Sequence, residues 1–121
     1  MQEKKTLVLG ASGNPSRYSN LAILRLLKYG HTVVAIGRKH CFVGDVEIHT
    51  EKKFFDTIDT VTLYLNPLHQ QEYDDYILSR HPKRIIFNPG AENDELAGLA
   101  KGKGIAAIDA CTLVLLSTNQ F

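Results

Sequence analysis

Leu7-Val8-Leu9-Gly10-Ala11-Ser12-Gly13-Asn14-Pro15-Ser16-Arg17 is the stretch that decides the fold. An apolar run ends in a Gly/Ser/Asn loop, and a helical pattern follows. This reads as a buried strand, a tight turn and a helix N-terminus. Such a turn aims backbone N–H groups at one point and suits an anion, most often a phosphate. The other reading is that Gly10 and Gly13 only make a tight strand-to-helix turn.

Working outward, Thr6 to Leu9 is short and apolar, as a strand covered on both faces should be. Ile23, Leu26 and Leu27, with Leu24 beside them, predict a helix over about residues 18–29 with one apolar face. Gly30 stops it, and Thr32 to Ile36 is a second β-branched strand. Strand, helix, strand with short connections is a right-handed crossover, so these two strands are parallel.

The alternation continues. Residues 37–60 read as a crossover, with a turn and a brief extended piece at Gly44 to Ile48, then a poorly periodic helix or loop around Phe54, Phe55 and Ile58. Val61 to Leu65 is a third strand. Tyr73, Tyr76 and Ile77 mark the inner face of a helix at about 68–80, ended by His81-Pro82. Arg84 to Phe87 is a fourth strand. Asn93 is the expected N-cap of a helix with Leu96, Leu99 and Ala100 inside and acidic Asp94 and Glu95 in its first turn. Ile105 to Ile108 is a fifth strand, and Cys111 to Leu116 closes the chain as a strand or buried tail. The expected fold is a single α/β Rossmann-like domain over residues 1–121, with a mostly parallel five- or six-stranded sheet and helices on both faces.

Composition narrows the function classes. The chain has 121 residues, is 44% hydrophobic and carries a formal net charge of +1, so no whole-protein field draws it to nucleic acid or anionic lipid. No apolar run approaches the ~18 residues of a membrane span. Met1 to Lys5 lead straight into the first strand, leaving no room for a targeting segment, and Cys41 and Cys111 lack metal-site spacing. The expectation is a cytoplasmic protein with reduced thiols.

In this architecture ligands bind outside the carboxyl ends of the strands. That rule selects four loops: Gly10, Ala11, Ser12, Asn14, Pro15, Ser16 and Arg17; Ile36, Gly37, Arg38 and Lys39; Leu65, Asn66 and Pro67; and Asn88, Pro89, Gly90 and Glu92. The first is not a dinucleotide fingerprint, because Ser12 and Pro15 stand where G-x-G-x-x-G needs glycine. A phosphate there would use backbone N–H groups, the Ser12 and Ser16 hydroxyls and Arg17. At the end of the second strand, Arg38-Lys39 replaces the acidic residue that holds the ribose of NAD. Two cations favour a phosphorylated ribose, either the 2′-phosphate of NADP or the 3′-phosphate of coenzyme A. The alternative is a solvated basic loop.

No catalytic signature accompanies these loops. Residues four after Tyr18, Tyr29, Tyr64, Tyr73 and Tyr76 are Ala22, Val33, Leu68, Ile77 and Arg80, so no Tyr-x-x-x-Lys pair exists. H-x-H, C-x-x-C, G-x-S-x-G and Walker-type sequences are absent. Cys111 reads as a core thiol, and His31, His40, His49, His69 and His81 as surface residues.

The ordered motifs resemble the small stand-alone CoA-binding-domain proteins related to the N-terminal domain of the succinyl-CoA synthetase α subunit. Gly10-Ala11-Ser12 with Pro15, Ser16 and Arg17 is similar to that family's opening motif, and Val34 to Lys39 to its second-strand end. Leu65-Asn66-Pro67 is similar to its third-strand turn, Phe87 to Glu92 to its Gly-centred stretch, and Asp109 to Val114 to its closing D-x-C-x-x-V. Gly37-Arg38 stands in place of an Asn-Pro pair, and Phe87-Asn88-Pro89 in place of an aromatic-x-Gln pattern. The resemblance implies coenzyme A as ligand. Its pyrophosphate would lie at residues 10–17, its 3′-phosphate near Ile36 to Lys39, and adenine between the 65–67 and 88–92 turns. The synthetase's phosphohistidine lies in regions absent here. The expectation is therefore a CoA or acyl-CoA binding module without catalysis of its own, as a homo-oligomer or beside an enzymatic partner protein. An NADP-binding protein and a regulatory domain with a vestigial pocket are the rival readings.

Overall fold

The computed structural model describes residues 2–121. Its strands are β1 (Thr6–Ala11), β2 (Val33–Gly37), β3 (Cys41–Val43), β4 (Val46–His49), β5 (Thr60–Leu63), β6 (Arg84–Phe87) and β7 (Ala106–Asp109). Its helices are α1 (Tyr18–Lys28), α2 (Pro67–Gln70), α3 (Asp74–Ser79), α4 (Asp94–Gly102) and α5 (Thr112–Ser117), with a 3₁₀ turn at Gln71–Tyr73. The sheet has the order β3-β4-β2-β1-β5-β6-β7, and every pair is parallel except β3 with β4.

The period-2 geometry of β1 divides the core. Leu7 and Leu9 face one side with Ile36, Leu63, Phe87 and Leu96, under α3 and α4. Val8 faces the other with Ile23, Leu26, Ile48 and Leu116, under α1 and α5, and the register shift between Leu9 and Ala11 turns Ala11 to that side as well. Leu7, Val8 and Leu9 are each 0% exposed, so each contributes about 1.5–3 kcal/mol of apolar burial. A central strand must be apolar on both faces, which is why this one reads as an unbroken run.

The α/β architecture is the expected one, with seven strands rather than five or six. The additional strands come from residues 37–60. There Val43 pairs with Val46 across a tight turn at Gly44-Asp45, making a β3–β4 hairpin whose second strand runs parallel to β2. The turn and brief extended piece expected at Gly44 to Ile48 are this turn and β4, while β3, three residues long with Phe42 exposed, carries too little apolar pattern to reveal itself. Residues 50–59 form no helix: Phe54 is exposed and Ile58 buried in irregular chain.

Three further expectations are corrected. The helix over 68–80 is broken into α2, the 3₁₀ turn and α3. Cys111 to Leu116 ends in helix α5 and adds no strand. Leu24, Leu27 and Leu99 point outward; the buried apolar positions are Ala22, Ile23 and Leu26 in α1 and Leu96 and Ala100 in α4. The Asn93 cap of α4 is as expected, its side chain accepting from Leu96 N–H. Among the described residues, no helix is long and apolar enough to cross a membrane.

Candidate functional site

Strand order places the site. The chain leaves β1 toward β2 on one side and returns to β5 on the other, so the loops after β1, β2 and β5 converge at a point where the winding reverses. Such a switch point opens a crevice at the carboxyl ends of the strands. A cavity of ≈ 1020 Å³ lies there, lined by Gly10 to Asn14, Arg17, Ile36 to Cys41, Tyr64 to Asn66, His69, Tyr73 and Pro89 to Ala91, among others. That volume is at the upper end of the ~300–1,000 Å³ typical of ligand pockets.

Two glycines are required by the approach of neighbouring chain. Gly10 has φ +90°, and a Cβ there would meet the Tyr64 backbone at 3.0 Å and Leu65 at 3.1 Å. Gly37 lies opposite Ala11 in the β1–β2 register, where a Cβ would stand 2.2 Å from the Ala11 carbonyl oxygen. Gly37, which departs from the resembled family's Asn-Pro pattern, is thus explained by the close packing of β1 on β2.

The loop Ser12 to Arg17 is tied by its own polar groups. Buried Asn20 donates to the Ser12 carbonyl at 3.0 Å, and the Ser12 hydroxyl accepts from Asn14 N–H at 3.1 Å. Asn14 Oδ1 accepts from the Ser16 N–H at 3.0 Å and the Ser16 hydroxyl at 2.8 Å. Asn14 therefore closes the turn before the helix instead of capping the helix. The N-cap of α1 is Arg17, which puts no side-chain acceptor over the first-turn N–H groups, and that turn contains no acidic residue. The positive end of an 11-residue helix is left open at Tyr18 and Ser19, both of which line the cavity.

The charged groups are distributed unevenly. Arg17, Arg38 and Lys39 line the cavity and make no ion pair among the described residues. His40 also lines it, but its ring is engaged by Glu47 at 2.7 Å, and that hydrogen bond holds the Glu47 carboxyl below its ordinary value. Arg38 lies against His69. Burial first, and the Glu72 carboxylate next, hold the Tyr73 phenol above its ordinary value, with Arg38 opposing them.

Behind the cavity, Asn88 is buried, donating to Thr62 Oγ1 at 2.7 Å and the Leu63 carbonyl at 2.9 Å while accepting from Thr112 N–H at 2.9 Å. Its amide ties β5, β6 and α5 together and is spoken for. Beside this network the Tyr64 hydroxyl is buried without a hydrogen-bond partner, and burial, with Cys111 adding to it, pushes that phenol up to about 12.

Of the residues selected from sequence, the structure gathers Gly10, Ala11, Ser12, Asn14, Arg17, Ile36, Gly37, Arg38, Lys39, Leu65, Asn66, Pro89 and Gly90 around one cavity. Pro15, Ser16, Pro67, Asn88 and Glu92 stand outside its wall. Ser16 braces the loop, Pro67 opens α2, and Glu92 accepts from Gly90 N–H at 2.8 Å to shape the turn. Cys41, Tyr64, His69, Glu72 and Tyr73 join the wall without having been singled out. Only His69 carried a local signal: Asn66-Pro67 is a helix cap, and it fixes the residue three places on.

His31, expected at the surface, is 3% exposed. Its Nδ1 accepts from Lys4 N–H at 3.0 Å, and its ring lies 4.9 Å from that of Phe121. Among the described residues no His/Cys/Asp/Glu group could hold a metal ion.

The family described as CoA binding domain matches residues 4–117. A crystal structure of an uncharacterized protein is similar over 100% of both chains, with 45% identity and a TM-score of 0.97. A hypothetical protein from Pyrococcus horikoshii OT3 is 24% identical with a TM-score of 0.87, over 97% of this chain and 84% of that one. The dinucleotide-forming acetyl-coenzyme A synthetase 1 of Ca. Korarchaeum cryptofilum, in complex with phosphate and ADP, is 19% identical with a TM-score of 0.72. That likeness covers 88% of this chain and 25% of the synthetase chain, and it concerns the fold. None of the curated proteins matches the chain.

Proposed function

This chain belongs to the CoA binding domain family, and from that premise we propose that its cavity binds coenzyme A or an acyl-CoA as a nucleotide-binding module. In this reading the pyrophosphate rests on the Gly10–Arg17 loop and the open first turn of α1. The 3′-phosphate lies at Arg38 and Lys39. Adenine lies between the Leu65–Pro67 and Asn88–Glu92 turns, with Asn88 holding the second turn in place from behind.

One observation carries the reading. Three cations and an uncapped helix N-terminus converge on one cavity with no ion-paired carboxylate among them. A nucleotide with several phosphates is the ligand class that suits such a site, because backbone N–H groups hold the pyrophosphate and guanidinium groups hold terminal oxygens. No nucleophile and base lie within hydrogen-bonding reach of each other in the cavity wall, so in this reading the module holds the ligand and a partner supplies any reaction.

The test is a thermal-shift and calorimetric titration with CoA, acetyl-CoA, dephospho-CoA, NADP, NAD and ADP. At a ligand concentration 100 times Kd, CoA should stabilise the fold by about 2.7 kcal/mol. Binding of NADP without binding of CoA would refute the reading. Replacing both Arg38 and Lys39 by alanine should erase the preference for CoA over dephospho-CoA.

A further inference from the structure

The sheet ends on one side at β7, and that edge lacks the devices that keep sheet edges from pairing. Ala106-Ala107-Ile108-Asp109 contains no lysine or proline, and its register with β6 runs without a bulge. The Ala106 N–H donates to the Lys83 carbonyl at 3.0 Å and the Ala110 N–H to the Phe87 carbonyl at 3.1 Å. Alternation along the strand therefore turns the N–H groups of Ala107 and Asp109 away from β6, onto the free edge. One face of β7 is bare as well. Ile108 stands beside Ile86 in the register, and Ile86 is fully buried in the core under α1 and α5. On that same face Ile108 is 37% exposed and Ala106 is exposed, so the helices of that layer stop short of the last strand.

Charge along this edge reverses from end to end. Lys101 and Lys103 precede β7 at its amino end and Asp109 closes its carboxyl end, and none of the three makes an ion pair among the described residues. On α4, which packs against β7, Asp94 and Lys101 share one side of the helix and repeat that polarity. A parallel neighbour of the same sequence would set like charge against like. An antiparallel copy sets each lysine end against the other's Asp109, and a twofold axis through the middle of β7 produces that pairing. The opposite edge offers less, because β3 is only three residues long and runs straight into the Gly44-Asp45 turn.

We propose that the β7 edge is a dimer interface, on which a second copy of this chain pairs antiparallel and joins the two sheets into one. The outward N–H groups of Ala107 and Asp109 donate to carbonyls of the other copy. The Ile108 side chains meet near the axis and cover the bare face, and Asp109 of each copy lies toward the lysine end of the other. No residue of β7 lines the cavity, so the interface stands independently of what the cavity holds.

The experiment is sedimentation velocity of the full chain from micromolar to near-millimolar concentration, with amide hydrogen exchange. Wild type forms a concentration-dependent dimer in which the Ala107 and Asp109 amides are protected. Ala107→Pro removes an N–H that β6 does not use, and Ile108→Lys sets two like charges near the axis. Each raises the dimer Kd about tenfold or more while circular dichroism shows the fold retained. Asp109→Lys and Lys103→Asp each weaken the dimer alone, and an equimolar mixture of the two restores it, because opposite charges again face each other. Phe42→Lys, on the β3 edge, leaves the dimer intact. Wild type that stays monomeric throughout overturns the proposal. So does a dimer that survives Ile108→Lys or is lost in Phe42→Lys, since another surface then carries it. A mixture that fails to restore the dimer overturns the antiparallel pairing.

Discussion

Gly37→Ala is the substitution for which the structure makes the sharpest demand. The new Cβ would stand 2.2 Å from the Ala11 carbonyl oxygen and 3.0 Å from Ile48 Cγ2. Ordinary C···O contact begins near ~3.3 Å, so the overlap with Ala11 is about 1 Å. The obstacle is backbone at the end of a central parallel pair, and it cannot turn away as a side chain would. Overpacking costs about 1–3 kcal/mol, and a backbone obstacle places Gly37→Ala at the upper end, about 3 kcal/mol. For a chain of 121 residues that is a fall in Tm of about 12 °C, at about 4 °C per kcal/mol. Gly98→Ala is the internal comparison. It lies on exposed helix α4 with nothing within 4 Å of the new Cβ, and should stabilise by about 0.5–1 kcal/mol. Urea unfolding followed by circular dichroism, with calorimetry for Tm, measures both. A Gly37→Ala protein within about 0.5 kcal/mol of wild type would refute the close β1–β2 approach, and with it the placement of Arg38 over the first loop.

Two other outcomes follow from buried polar groups. Asn88→Ala removes three hydrogen bonds and strands buried partners on β5 and α5, so it should cost about 3 kcal/mol in urea unfolding; a loss under about 1 kcal/mol would show that the amide does not tie these elements. His31 is held below its ordinary value of 6.5, by burial first and Lys4 next. The unfolded chain therefore takes up a proton that the folded chain resists, and stability should fall as pH drops through 6.5, levelling off only below the depressed folded value. His31→Gln should flatten that part of the stability profile, and an unchanged slope would assign it to other groups.

Periodicity made the elements legible where they are long and buried on defined faces. Leu7 to Leu9, Arg84 to Phe87 and the Ile23/Leu26 stripe each carry their own signal, and Asn93 announces α4. The carboxyl-end rule then selected loops that do line one cavity. The turn and β4 of the hairpin were legible at Gly44 to Ile48, but β3 escaped because three residues are too short to show alternation, and the break in the helix expected over 68–80 escaped because a 3₁₀ turn leaves apolar spacing nearly unchanged. His31 escaped because its burial depends on Lys4 and Phe121, residues far away in the chain that arrive at the same sheet end.

The same distinction runs through the site. The sequence by itself determined an apolar central strand, a Gly/Ser/Asn turn before a helix, and two cations at the next strand end, because these depend on neighbours a few residues apart. Only the tertiary structure decided that Gly37 must be glycine, that Asn88 faces inward, and that His69 meets Arg38. Those depend on strand order and register, which bring together residues 26, 24 to 26, and 31 positions apart. No local pattern encodes a distance across a sheet.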